Sequence, residues 1–187
     1  QRKRTTWSIR KAGLTAGEKS TLVWEAPNTY RGSIPTTHGG TNFQWARQDR
    51  MVFTSYQDGW PHAYSVASTG GAALLLSPGE IMVEHLSVSA DGNSIYFDAN
   101  TGGEDSDKDR RHICQVSVDK ADMKVLTPGK GFAGCRTNCR LRSRYGHYEM
   151  SAPYQTVHPV AVITTAGPAQ PLPPHHSSLP AQQYAQP

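Results

Sequence analysis

Two stretches of this sequence run in parallel, fifty residues apart. Leu76-Ser77-Pro78-Gly79 returns as Leu126-Thr127-Pro128-Gly129, and His62-Ala63-Tyr64-Ser65-Val66 returns as His112-Ile113-Cys114-Gln115-Val116. The spacing from Val66 to Leu76 is kept between Val116 and Leu126. Upstream, Met51-Val52-Phe53 matches Ile95-Tyr96-Phe97 at an offset of 44, and the six-residue difference is a polar insertion around Glu104-Asp105-Ser106-Asp107-Lys108-Asp109. A unit that recurs within about 40 to 50 residues restricts the chain to a short list of repeat architectures.

The content of the unit narrows that list. Short apolar runs with period-2 character stop at turn residues: Met51-Val52-Phe53 before Asp58-Gly59, Ala63-Tyr64-Ser65-Val66 before Gly70-Gly71, Leu74-Leu75-Leu76 before Pro78-Gly79. Leu86-Ser87-Val88 before Asp91-Gly92 and Ile95-Tyr96-Phe97 before Gly102-Gly103 continue the pattern. With 17 Gly and 13 Pro, a helical bundle or coiled coil is excluded. The first unit predicts strands near 42–46, 50–56, 62–68 and 72–76, and the second near 84–89, 94–99, 111–118 and 123–126. Four antiparallel strands per repeat is the pattern of a β-propeller blade. Trp7-Ser8-Ile9-Arg10 and Leu22-Val23-Trp24 read as the last two strands of an earlier blade. The expected fold is all-β: a partial propeller over 1–131, with a half blade at 6–27 and blades at 42–79 and 84–129. Since propellers close with roughly four to eight blades, about two and a half blades make a piece of one. A small β-sandwich would not explain the matched offsets.

Composition changes near residue 131. The last 56 residues hold eight of the 13 Pro and neither Asp nor Lys. The Pro-rich, Gln-rich end cannot bury a core, so 132–187 is expected to be mostly disordered. An authentic tail and a change of reading frame would both produce this break. The charge breaks at the same place. Residues 1–131 carry 15 Lys+Arg against 14 Asp+Glu, so the formal +4 is not a basic face on the folded part. That argues against a nucleic-acid partner. No apolar run is long enough for a membrane span, and no signal peptide follows Gln1, which leaves periplasm and cytoplasm both open. Cys114, Cys135 and Cys139 give no disulfide framework.

The run Phe53-Thr54-Ser55-Tyr56-Gln57-Asp58-Gly59-Trp60-Pro61-His62-Ala63-Tyr64-Ser65-Val66 resembles a blade of the propeller in the prolyl oligopeptidase / dipeptidyl-peptidase IV family of serine peptidases. Leu86-Ser87-Val88-Ser89-Ala90-Asp91-Gly92 and Asp109-Arg110-Arg111-His112-Ile113 resemble it too, and the Leu-Thr-Pro-Gly closure at 126–129 is shared with Tol-system propellers. The resemblance covers about 6–131. It implies a propeller that caps a hydrolase domain and restricts access to short peptides, with that domain and further blades elsewhere in the full-length protein. The nucleophile of such enzymes sits in G-x-S-x-G, which does not occur here, so no catalytic residue is carried over and the chain alone is expected to be inactive. Glu-Glu, which the dipeptidyl peptidases use to bind a substrate N-terminus, is also absent, so dipeptidyl-, oligo- and acylaminoacyl-peptidase stay open. The alternative is a non-enzymatic Tol-like scaffold that binds protein partners.

Arg110 and Arg111 are the candidate substrate-binding residues, because an Arg can grip a peptide carboxylate with two parallel hydrogen bonds. The competing reading pairs them with Asp107 or Asp109 in their own loop. Asp105, Asp107 and Asp109 have the opening spacing of a calcium loop, but Arg110 and Val116 stand where it needs Gly and Glu. Cys135, Cys139 and His147 fall short of four ordered zinc ligands, and His175-His176 have no scaffold. No metal and no cofactor is expected. Trp45, Trp60 and Tyr64 are expected to pack between blades.

Overall fold

The computed structural model describes residues 6–33, 43–101 and 110–128, together with the backbone of four later strands. The first two strands, β1 (Ser8–Lys11) and β2 (Thr21–Glu25), form an antiparallel pair. Next come β3 (Gln44–Ala46), β4 (Arg50–Ser55), β5 (His62–Ala67) and β6 (Leu74–Leu75), hydrogen-bonded in that order as one antiparallel sheet. A second sheet repeats the order with β7 (Val83–Val88), β8 (Ser94–Ala99), β9 (His112–Ser117) and β10 (Lys124–Val125). These are the half blade, blade one and blade two. Among the described residues there is no helix.

The registers confirm the repeat residue by residue. Phe53 faces Tyr64 across blade one, and Phe97 faces Cys114 at the equivalent place in blade two. Ser68 donates its amide to Asp49 O at 2.7 Å, and Val118 donates to Asn93 O at 3.0 Å. The Asp-Gly turns fold for a local reason. The Asp91 carboxylate accepts the Ser89 hydroxyl at 2.6 Å and the Asn93 amide at 3.1 Å, a side chain replacing a backbone partner. Gly92 follows with φ +73, and a Cβ there would lie 2.9 Å from the Arg47 amide, which donates to Gly92 O. A side chain would therefore push the two blades apart.

The outer strands β6 and β10 are two residues each, shorter than the sequence suggested, which limits the unpaired edge. Their ends are fixed by the repeated closing turns. Ser77 Oγ accepts the Ala63 amide at 2.9 Å, and Thr127 Oγ1 accepts the Ile113 amide at 2.8 Å. A buried histidine adds to each closure: His62 Nε2 lies 2.8 Å from Gly79 O, and His112 Nδ1 lies 2.7 Å from Thr127 O. His62 Nδ1 also meets Asp58 Oδ2 at 2.6 Å. Partial burial pushes the Asp58 carboxyl up. Hydrogen bonds from His62, Tyr64 and the Trp60 amide, with the charge on His62, outweigh that and leave it below its ordinary value.

Alternation sends each strand's two sets of side chains to different neighbours. Met51, Phe53, Tyr64 and Val66 join Ile9, Val23 and Trp24 in the core shared with the half blade. Trp24 tilts against Phe53 at 4.7 Å and Trp7 meets Trp24 edge-on at 4.8 Å between centroids. Val52, Ala63 and Leu76 turn the other way, onto Ile95, Phe97, Cys114 and Val116 of blade two. Tyr64 packs as expected, whereas Trp45 is 54% exposed and Trp60 37%. The interface between the blades is pinned by Gln44, whose amide donates to Leu86 O at 2.8 Å and accepts from the Val88 amide at 3.1 Å.

Within 132–187, expected to be mostly disordered, four short strands are described. β11 (Phe132–Gly134), β12 (Tyr145–Ser151), β13 (Val160–Thr164) and β14 (Gln170–Pro171) pair in order as a third antiparallel sheet, and β11 lies against β9. Val160-Ala161-Val162-Ile163-Thr164 is a β-branched run of the kind that forms strands, and the Pro-rich composition around it obscures that. The rest of 132–187 lies outside the described residues.

Two outcomes follow from the closing turn. His62→Ala is expected to lower stability by roughly 1–3 kcal/mol in urea unfolding, because it leaves the Gly79 carbonyl without its partner and takes one of several partners from the Asp58 carboxylate. The Asp58 carboxyl lies lower in the fold than its unfolded value of 3.8, so its contribution is present above that pH and disappears as pH falls through the lower, folded value. Asp58→Asn is therefore expected to flatten the loss of stability in unfolding curves taken below about pH 4; an unchanged acid limb would contradict the assignment.

Candidate functional site

The pairing of β7 with β8 is interrupted. Glu84 faces Asp98 and Ser87 faces Tyr96, so His85 and Leu86 together oppose the single residue Phe97. This two-against-one count is a β-bulge, which bends the strand and re-aims its side chains. His85 takes up the bend with φ +48, a left-handed conformation that non-glycine residues seldom adopt. In a regular strand, Glu84 and His85 would point to opposite faces. At the bulge they converge on Asp98.

Three ionisable groups meet there. His85 Nδ1 lies 3.0 and 3.1 Å from the two carboxylate oxygens of Asp98. The His85 side chain is 45% exposed and that of Asp98 only 3%. The ligand atoms of Glu84, His85 and Asp98 all lie within 4.8 Å of one another. Burial pushes the Asp98 carboxyl above its ordinary value, His85 partly offsets this, and the Glu84 charge adds to it. Beneath it, Cys114 donates its thiol to His112 O at 3.7 Å. Burial, with the Asp98 charge, pushes that thiol up to about 12, so it is no nucleophile near neutral pH.

Arg111 closes the cluster. It stands just before β9 and holds Glu84 with both forks, Nε to Oε2 at 2.8 Å and Nη2 to Oε1 at 3.3 Å. The carboxylate that Arg111 grips is thus one of the chain's own, 27 residues away. The loop partners considered from sequence, Asp107 and Asp109, lie outside the described residues. Arg110 is half-buried beside Arg111 and takes part in an interaction of its own. Cys135, Cys139, His175 and His176 also fall outside, and only the backbone of His147 is described, on β12.

Sequence reasoning named Arg111 but passed over Glu84, His85 and Asp98. The one available signal was local: two adjacent polar residues, Glu84-His85, break the alternation between Val83 and Leu86. Of the described residues, these three are the group placed to hold a metal ion.

Several solved structures share this arrangement of blades. A puromycin hydrolase superposes with a TM-score of 0.57 at 12% identity, covering 88% of this chain and 24% of its own. A puromycin-hydrolyzing peptidase of Mycobacterium tuberculosis gives 0.59 at 14% identity, covering 92% and 26%. TolB of Acinetobacter baumannii gives 0.52 at 15% identity, covering 89% and 38%. At such identities the likeness is one of fold. The chain spans about a quarter of the length of these two peptidases. Comparison with curated proteins gives no match. The family described as the dipeptidyl peptidase IV (DPP IV) N-terminal region matches residues 1–151, through both blades and into the third sheet, and the chain belongs to that family.

Proposed function

We propose that this chain is the propeller portion of a serine peptidase of the prolyl oligopeptidase family, and that it screens peptides on their way to a hydrolase domain carried outside these residues. The observation that carries the reading is the family match over 1–151 on a chain folded as successive four-stranded blades. The peptidase structures that share the fold support it, each being about four times longer than the stretch this chain covers. In this reading the propeller supplies no bond-breaking group. Its contribution is steric and electrostatic: a ring of blades excludes bulky chains, and Arg110 and Arg111, beside the loop between β8 and β9, offer cationic contacts to peptide carboxylates. Arg111 would reach a peptide only by exchanging it for Glu84.

The purified chain is expected neither to react with a fluorophosphonate serine probe nor to hydrolyse proline-containing chromogenic peptides. Stoichiometric labelling of one Ser would overturn this. The coding DNA beyond codon 131, read in all three frames, separates the peptidase from the Tol-like scaffold, whose fold this chain also resembles. Further blades followed by G-x-S-x-G support the peptidase. A frame with blades and no such elbow supports the scaffold.

A further inference from the structure

We infer that the half blade is completed by a second pair of antiparallel strands, added to the free edge of β1 and packed on Trp45, and that this pair is a β-hairpin of the full-length protein carried outside these residues. The inference holds for a propeller of either kind, peptidase or scaffold. The closing turns give the correspondence between the half blade and the whole ones. Ala26 donates its amide to Trp7 O at 2.9 Å, as Leu76 does to Ala63 O at 2.9 Å and Leu126 to Ile113 O at 2.7 Å. β1 is therefore a third strand and β2 a fourth. The third strands β5 and β9 are paired on both edges, whereas β1 pairs with β2 alone among the described residues. Because Trp7 gives its carbonyl to the β2 side, the amide and carbonyl of Ser8 turn to the other edge. At the equivalent place Tyr64 stands opposite Phe53 of β4, and Cys114 opposite Phe97 of β8. An edge left open in this way is a template for an added strand.

The face beside that edge continues an interface already formed. On β3, Gln44 and Ala46 turn to blade two, so Trp45 between them turns to the half blade. Across the strand pair Trp45 stands opposite Met51, which belongs to the core shared with the half blade. That core reaches only as far as the two strands present. Ile9, Val23 and Trp24 pack with Met51 and Phe53, while Trp45 beyond them is half exposed, and Phe43, one residue before β3, is exposed as well. At the next interface the first strand is covered, since Leu86 of β7 is buried in the core shared with blade one. A further sign comes from Trp7, whose ring lies 5.8 Å from that of Phe53 between centroids. Its indole N–H is buried without an acceptor among the described residues. Buried donors of this kind are nearly always matched, and a carbonyl of an arriving strand is a suitable acceptor.

The geometry also selects the occupant. A second copy of this chain does not fit. A two-fold axis that pairs β1 with its own copy stands normal to the sheet and preserves its faces, so Ile9 of both copies would lie on one side. Ile9 packs on blade one, and the two copies of blade one would then claim the same space. A hairpin meets no such obstacle, because it brings two strands and nothing behind them. Blade one shows what such a hairpin presents to its neighbour: β3 and β4 turn Gln44, Ala46 and Val52 toward blade two. The completing hairpin is expected to turn a similar row, mostly small and apolar, toward Trp45, Met51 and Phe53.

The test compares the full chain with an extended one, in which a copy of residues 43–61 replaces residues 1–5. That segment leads into β5 in blade one as the hairpin would lead into β1. In the full chain the Ser8 amide is expected to exchange with solvent at least about 100-fold faster than the Tyr64 amide, and in the extended chain to come within about 10-fold of it. The urea midpoint is expected to rise on extension. Ser8→Pro removes an amide turned away from β2, so it is expected to leave the midpoint of the full chain unchanged and to cancel the rise in the extended one. Trp45→Ser, made at the original position, is expected to do the same, because the side chain it removes is exposed until the hairpin covers it. Trp60→Ser, again at the original position and in the loop between β4 and β5, is expected to leave the rise intact. Light scattering reports the mass of the full chain. Slow exchange of Ser8 before extension, no rise in midpoint after it, a rise that Ser8→Pro and Trp45→Ser leave unaltered, or a dimer that Ser8→Pro dissociates would each overturn the proposal.

Discussion

Where a four-stranded sheet stops, the last full strand has amides with no ladder partner. In this chain those amides belong to Ala63 and Ile113, which lie on the third strand of their blades. The outer strand cannot simply run on to meet them, because Pro78 and Pro128 follow directly and fix φ. The preceding hydroxyl takes over. Ser77 and Thr127 accept those amides, while Leu76 and Leu126 donate back to Ala63 O and Ile113 O at 2.9 and 2.7 Å. The histidine beside each amide then ties down a carbonyl of the same turn. Everything else about a blade depends on this closure: the length of the outer strand, the direction in which the chain leaves, and the placement of the next blade's first strand.

That placement determines how the core is shared. A strand has two faces, and in a stacked array each faces a different neighbour. Hence Phe53 belongs with the half blade and Val52 with blade two, although the two residues are adjacent. Few polar contacts fix the angle between the sheets. Gln44 bridges the bulged Leu86 and the following Val88 of β7, and the Arg47 amide reaches Gly92 O at 2.9 Å. A side-chain amide is suited to this task, since it can donate and accept at once along an exposed strand edge.

The parts of the fold readable from sequence were those set by fixed lengths. Strand, turn and closing motif recur at offsets of 50 and 44 because a blade tolerates insertions only in its loops, and the polar insertion at 104–109 lies between β8 and β9. The half blade was readable for the same reason. Three things were not. The strands of the third sheet, Val160–Thr164 among them, are short and flanked by proline, so the average composition of the region outweighed their local pattern. The exposure of Trp45 was missed because alternation gives a side chain's face but not what covers that face. The convergence of Glu84, His85 and Asp98 was missed because it depends on a shift of phase. Strict alternation puts neighbouring residues on opposite faces, and one inserted residue undoes that for all that follow. Arg111, named from sequence as a candidate peptide-carboxylate contact, holds Glu84 from across the sheet, a pairing that sequence distance alone does not reveal.

A repeat also shows where a sequence has departed from what folding requires. Blade one and blade two share their closing turns, their buried Phe53 and Phe97, and the hydroxyl–polar pairing of Arg50 with Ser65 at 2.6 Å, echoed by Gln115 with Ser94 at 3.3 Å. At shared positions the residues are those that close and fill a blade, and their identity needs no further cause. Asp98 is different in kind. It replaces a threonine, which satisfies its hydroxyl easily, with a buried carboxylate that demands a counter-charge. Meeting that demand involves a left-handed histidine and a bulged strand, and the neighbouring Glu84 is tied by an arginine from the far side of the sheet. Each departure alone weakens the blade in which it occurs. The three coincide at one point of blade two, around the bulge where β7 pairs with β8, whereas blade one carries Thr54 at the position of Asp98.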